Sequence, residues 1–335
     1  MGFYLTGGTL TSNSLFTNIL LTLSAADFIR IKSTRGLARS SFTVFLTADS
    51  HLVVDLAGNY MFTIFNSASL SVTTFTPLSI QLQPVSMTLN IDAYSLTITY
   101  SDYVDLTSIY PRAIIFQANS NSLNDAYTLS ALSSAASSTG FAISIEINID
   151  VSDMNAMKSL YPLISDKIHS YVSYTSNLGV DWFGNSLLSV NASNAFQITS
   201  FIPNLTPPSV QRYTIDMNEG VIELILSETV NVMSANLYDI NLQSLPSIRF
   251  AAFTNLIGAT VLSGSGSLSN VLHIQLTNDT LIYLKYNHIA NALTTSYLTF
   301  SPGFISDFSG LGISPAYDSS VYGKLTLLLW SINDR

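Results

Sequence analysis

Asp181-Trp-Phe-Gly184-Asn185 decides how this chain is read, because the pattern occurs three times. Upstream stands Asp55-Leu-Ala-Gly58-Asn59; downstream stands Asp307-Phe-Ser-Gly310-Leu311, with Leu in place of the final Asn. The aspartates at 55, 181 and 307 are separated by 126 residues in both intervals. Self-similarity at a fixed period marks tandem copies of one folded unit, and this period has the size of a domain.

A second landmark lies ahead of each copy: an alternating strand, an acidic turn and a short helical stretch ending in Lys. The copies run Ile19 to Lys32, Ile145 to Lys158 and Leu272 to Lys285, with lysine spacings of 126 and 127. Asp27, Asp153 and Asp279 fall in their first turns. Ser24 followed by Asp27 reads as an N-cap with a first-turn acid, matched to the positive end of the helix dipole.

A third landmark opens a repeat as strand, tight turn, strand. Tyr213 to Asn231 is one copy and Met87 to Asp105 the other, with Ser101 and Ser227 again 126 residues apart. Asp92 is matched to Asp216, which makes the earlier turn two residues shorter. The first copy shows no such opening. The expected domains are therefore 1–76 (an incomplete repeat), 77–206 and 207–335, with Pro77 and Pro207-Pro208 as short, stiff boundaries. Alternation at Leu96, Ile98 and Tyr100, with many Gly, Asn and Ser turns, predicts an all-β chain of sandwiches with a short helix per repeat. A sandwich lacking its first strands leaves an open edge, which a neighbouring chain could fill.

Composition narrows the function classes. Hydrophobic residues make up 47% and charged residues 10%, with a net charge of -9 and a pI near 4.6. Twelve unclustered basic residues argue against nucleic acid as a partner. No cysteine is present, which removes disulfides, thiol catalysis and Cys-based zinc sites. No secretory leader is read at Met1-Gly2-Phe3-Tyr4, and no apolar run is long enough to span a membrane.

Leu226-Ser-Glu-Thr-Val230 and Tyr100-Ser-Asp-Tyr-Val104, each followed much later by Asp-x-x-Gly-Asn, resemble the tandem immunoglobulin-like (bacterial Ig-like and cadherin-like) repeats of large extracellular surface and adhesion proteins. The resemblance implies Ig-like sandwiches, placement outside the cell or on its surface, and mechanical or adhesive work. The repeats exceed the ~90–100 residues of an Ig sandwich, which suggests insertions at 118–140 and 244–268.

The candidate chemistry is sparse. Asp55, Asp181 and Asp307 each admit a turn-capping role or one oxygen ligand to a junctional calcium ion, and the turn role is preferred because each motif offers a single carboxylate. Asn191, Asn204 and Asn278 head sequons, so N-linked glycans are expected if the chain passes a secretory pathway. His51, His169, His273 and His288 lack metal-ligand spacing. Gly264-Ser-Gly-Ser-Leu268 reads as a flexible loop, not a nucleophile elbow. No catalytic site and no resident cofactor are expected. Leu325 to Trp330 reads as a terminal strand that fills the last repeat's own core or meets a partner. The sequence points to a structural segment of a large extracellular filament, appendage or matrix protein, with copies of itself or other matrix proteins as partners. An adhesive or ligand-binding module, with calcium as a stiffener, is the other reading.

Overall fold

The computed structural model describes residues 2–12, 18–79, 81–247, 251–262 and 267–317. The terminal strand expected at Leu325 to Trp330 and most of the loop at Gly264 lie outside the described residues. Among the described residues the chain is mostly β, with several sheets and three α-helices of nine residues each.

Residues 2–79 contribute β1 (Gly8–Ser12), β2 (Ile19–Leu23), α1 (Ala25–Ser33), β3 (Phe45–Leu46) and β4 (Leu70–Ser71). The next stretch holds β5 (Pro84–Asn90), β6 (Ser95–Asp105), β7 (Ile114–Asn119), β8 (Ser122–Thr128), β9 (Ser134–Ala135), β10 (Phe141–Asn148), α2 (Val151–Ser159), β11 (Tyr171–Tyr174), β12 (Phe196–Gln197) and β13 (Ser200–Ile202). Beyond Pro207-Pro208 come β14 (Val210–Asp216), β15 (Val221–Asn231), β16 (Ile240–Gln243), β17 (Phe253–Asn255), β18 (Thr260–Leu262), β19 (Leu268–Gln275), α3 (Asn278–Tyr286), β20 (Tyr297–Phe300) and β21 (Ser306–Asp307).

The middle stretch folds as two sheets, ordered β13-β5-β6-β10-β9 and β12-β11-β7-β8. Alternation puts Leu96 and Ile98 of β6 and Ile145 and Ile147 of β10 on one inner face. Ile114 and Phe116 of β7 and Val172 and Tyr174 of β11 come from the other sheet into the same core. The Tyr100 hydroxyl donates to the Tyr174 hydroxyl at 3.1 Å, tying the sheets together inside. The last stretch repeats the plan with β14-β15-β19-β18, where β15 also pairs β21, and β17-β16-β20. Its separate core includes Ile222, Leu224, Ile274, Leu298 and Phe300. One core draws on residues 82 to 198 and the other on residues 213 to 316, with Pro207-Pro208 between them.

Two sequence expectations change. The opening hairpins have turns of equal length: Asn90 pairs Ser95 and Asp216 pairs Val221, so Asn90, not Asp92, is the counterpart of Asp216. Both side chains cap the turn, Asn90 from the Ala93 N–H and Asp216 from Asn218 and Glu219. Tyr94 (φ 53°) stands in the left-handed conformation that Gly220 (φ 68°) adopts, which hid the equivalence. Residues 118–140 carry β8 and β9, and the described part of 244–268 carries β17 and β18. In α3 the buried N3 residue is Thr280, while Asp279 is exposed at N2; the 127-residue spacing reflects this one-residue offset.

Each helix begins on a side-chain cap: Ser24, Asp150 and Thr277 accept the N–H of Asp27, Ser152 and Thr280. Asp153 sits buried at N3 of α2. It accepts from the Tyr127, Ser130 and Ser133 hydroxyls and the Ser130 N–H, pinning the 127–133 stretch to the helix start. Burial alone would raise its pKa, but the Ser133, Tyr127 and Ser130 donors outweigh that and hold it below the usual value of 3.8. Asp27 does the same work in α1, accepting from the Thr6 and Gly7 N–H groups and from the Thr6 and Ser24 hydroxyls.

Candidate functional site

The three landmarks of the sequence converge at the boundaries between repeats. At the second boundary, Lys158 leaves the last turn of α2 and reaches Glu228 of β15, with Nζ 2.5 Å from Oε2. The lysine side chain is 0% exposed and the glutamate 4%. Lys158 also lies over the rings of Tyr94 and Phe308, at 5.3 and 5.6 Å from their centroids. The Asn204 amide, in the linker, donates to Glu228 Oε2 at 2.9 Å and to Asp307 Oδ2 at 3.0 Å. Asn155 of α2 holds the Thr229 N–H at 2.8 Å. Asp92 closes the far side by accepting the N–H groups of Leu205 and Thr206. Desolvation pushes the Glu228 carboxyl up, against the downward pull of Lys158 and Asn204.

The first boundary repeats this construction 70 residues apart in sequence, as at Lys158 and Glu228. Lys32, in the last turn of α1, meets Asp102 of β6 at 2.6 Å, with side-chain exposures of 15% and 19%. Its ammonium lies over Phe28 and over Trp182, the residue that corresponds to Phe308. Arg35 adds contacts to Asp105 and Thr107, and Arg39 lies over the Phe141 ring. Phe75 stacks on Phe183 at 6.1 Å. The third lysine, Lys285, is exposed.

The Asp-x-x-Gly turn is the socket of each joint. Asp181 Oδ1 accepts the N–H groups of Phe183, Gly184 and Asn185, and Oδ2 accepts the Asn185 amide. Asp55 makes the same pattern with Ala57 and Asn59, and Asp307 with Ser309 and Leu311. The glycines stand at φ 87°, 105° and 89°, a conformation that side chains disfavour. The carboxylate oxygens named as metal ligands are thus occupied by donors of their own turns. Among the described residues no three His, Asp or Glu side chains are grouped to hold a metal ion.

The missing Asn of the third copy has a structural counterpart. In the second repeat the Asn185 amide also donates to the Leu78 carbonyl in the preceding linker, at 3.1 Å. Asn204 occupies the linker position 126 residues after Leu78. It sends its own amide into Asp307, so the linker supplies the donor that Leu311 lacks.

Of the sequon residues, Asn191 and Asn278 are exposed. Asn204 is buried, and the nitrogen that would carry a glycan is the donor to Glu228 and Asp307. A glycan at Asn204 and this joint exclude one another. His169 and His273 face Asp166 and Glu223 at 3.0 Å, and Glu223 also meets Arg212 at 4.0 Å.

Sequence reasoning found the residues but missed their pairing. Lys32, Lys158, Asp102 and Glu228 were visible as recurring landmarks, and the constant offset of 70 from lysine to acid was the signal that could have joined them. Comparisons with family models, curated proteins and solved structures found no match to this chain.

Proposed function

We propose that this chain is a structural segment of a large extracellular filament, appendage or matrix protein, built from tandem Ig-like sandwiches that act by length and stiffness. The observation carrying this reading is the recurrence at both boundaries of a helix-end lysine seated on a carboxylate of the next repeat, with the second linker also hydrogen-bonded to the repeats on both its sides. A flexible tether needs no such fixture, since linkers of its kind leave few contacts across the boundary. The low charge fits the same reading, because permanent interfaces are depleted in charge. Small-angle scattering of the full chain tests it. A profile matched by one fixed arrangement of the second and third repeats is expected; a profile requiring a broad ensemble of orientations overturns it.

An adhesive module is the second reading, favoured by a groove of about 740 Å³ where α2 meets β15 and β19. Uncharged polar groups line it, among them Ser152, Asn155, Ser227 and Asn270. Its calcium-stiffened form predicts a higher melting temperature on calcium titration, because ligands of the native state raise apparent stability. An unchanged melt removes that form.

A further inference from the structure

Four polar side chains are shut together at the second boundary, and they come from three separate parts of the chain. Lys158 ends α2 of the second repeat, Asn204 lies in the linker, and Glu228 and Asp307 belong to β15 and β21 of the third. All four are buried. Lys158 Nζ stands 2.5 Å from Glu228 Oε2, and the Asn204 amide bridges that same oxygen to Asp307 Oδ2. An amine is therefore held against a carboxyl group where water has little access.

Two charges kept out of water are costly even when paired. An amide made from the same two groups carries no charge. Its formation needs only the ammonium and the carboxylate, and it releases one water. A nitrogen 2.5 Å from a carboxylate oxygen is at most one C–O bond further from the carboxyl carbon, near the ~3–3.5 Å separation of reacting atoms in a near-attack arrangement. A proton first passes from Nζ to Oε2, leaving a neutral amine beside a neutral acid. Burial most of all, and Asp307 beside it, raise the Glu228 pKa against the pull of Lys158 and Asn204, which favours that neutral acid. The Nζ lone pair then bonds to Cδ and the Cδ–Oε2 bond breaks. The oxygen leaves as water with a second Nζ proton, and the third proton stays on the amide nitrogen. Asn204 donates to Oε2, the departing oxygen, and so steadies its charge as the bond breaks.

We propose that Lys158 and Glu228 join in a side-chain amide (isopeptide) bond that locks the second repeat to the third. The bond closes only after both repeats have folded and docked, because its halves lie 70 residues apart beside separate cores. The ion pair is the state of the freshly folded chain, and the energetics of the open pair belong to that state. The first joint supplies the contrast. Lys32 and Asp102 stand almost as close, at 2.6 Å, but their side chains are 15% and 19% exposed against 0% and 4% for Lys158 and Glu228. Water at the first joint solvates both charges and favours the hydrolysed side of the same reaction, so that joint stays open.

Mass spectrometry of the full chain, aged in its folded state until its mass no longer changes, tests this without any variant. The expected mass is one water below that of the sequence. Trypsin then leaves Lys158 uncut and yields residues 113–167 joined to residues 213–249, with Lys32 still cleaved. The unreduced sequence mass, with normal cleavage at Lys158, overturns the proposal. A mass lower by one ammonia, with Lys158 joined to Asn204, overturns it as well, since the amide and not the Glu228 carboxyl would then have reacted. Lys158→Arg and Glu228→Ala are each expected to keep their full mass, and a water loss that persists in either refutes the assignment to this pair. The mass reading stands apart from the scattering test, because an open joint can be stiff and a closed one leaves the scattering question to be read separately.

Discussion

The two joints use one plan with different degrees of burial. At the second, Lys158 and Glu228 are closed off from solvent and share Asn204 with Asp307. At the first, Lys32 and Asp102 keep part of their surface in water and are flanked by Arg35 and Arg39. Geometry is conserved while energetics diverge, because the environment sets the worth of an ion pair. A buried pair is held by mutual need, since either charge alone is poorly solvated there. A pair near water contributes little and is screened by salt. Glu228 is one methylene longer than Asp102, which lets β15 reach a lysine that lies deeper.

The largest expected effect breaks the buried joint. Glu228→Ala leaves the buried Lys158 without its carboxylate, a loss of ~3–5 kcal/mol in the coupled stability of the second and third repeats. Denaturant unfolding read by exchange at β15 measures it. Asp102→Ala at the first joint is expected to lose about 1 kcal/mol or less, with a marked salt dependence. Combining Lys158→Met with Glu228→Leu is expected to return most of the lost stability, because a packed apolar pair replaces a buried ionic one with little net change. A double variant as unstable as Glu228→Ala would show that the site tolerates no apolar replacement.

Next comes the helix anchor behind the second joint. Asp153→Asn trades a carboxylate with four donors for an amide and is expected to destabilise by roughly 1.5–3 kcal/mol. The same group fixes a pH dependence. Its folded pKa lies below 3.8, so the Asp153 contribution is fully present above the unfolded value and is lost as pH falls through the depressed folded one. Glu228 acts in the opposite sense: its raised pKa makes the folded state take up a proton first, so stability from this group increases as pH falls from the raised value towards 4.5. Thermal melts of Asp153→Asn and of the unaltered chain between pH 7 and 2.5 should converge at the acid end. Parallel curves would contradict the assignment.

The linker swap sharpens the comparison further. Asn185→Leu gives the second repeat the residue of the third without the linker donor, and should lose about 1–2 kcal/mol. Adding Leu78→Asn rebuilds the arrangement of Asn204 and Asp307, and should recover at least half of that loss in the same unfolding experiment. The smallest effect belongs to Trp182→Phe, which copies Phe308. The indole N–H is buried with no hydrogen-bond partner among the described residues, so its removal is expected to change stability by less than ~1 kcal/mol.

Much of this architecture is readable from spacing alone. The period, the β class, the Asp-x-x-Gly turns and the helix caps all follow from local chemistry repeated at fixed intervals. What escaped notice depended on partners distant in sequence. Asn204 looks like a glycosylation acceptor until Glu228 and Asp307 are seen around it. Asp92 looks like a turn residue until Leu205 and Thr206 return to it from the other end of the repeat. Tyr94 disguises its turn, because a bulky residue holds the backbone conformation that glycine marks elsewhere.

The central claim is that the boundaries are joints of fixed geometry. Because the chain has no cysteine, spin labels can be placed uniquely at the exposed positions Leu132 and Tyr238, on either side of the second boundary. Pulsed electron-electron dipolar spectroscopy should give one narrow distance distribution, unchanged from low to high salt and broadened by Glu228→Ala. A broad distribution in the otherwise unaltered labelled chain would contradict the account.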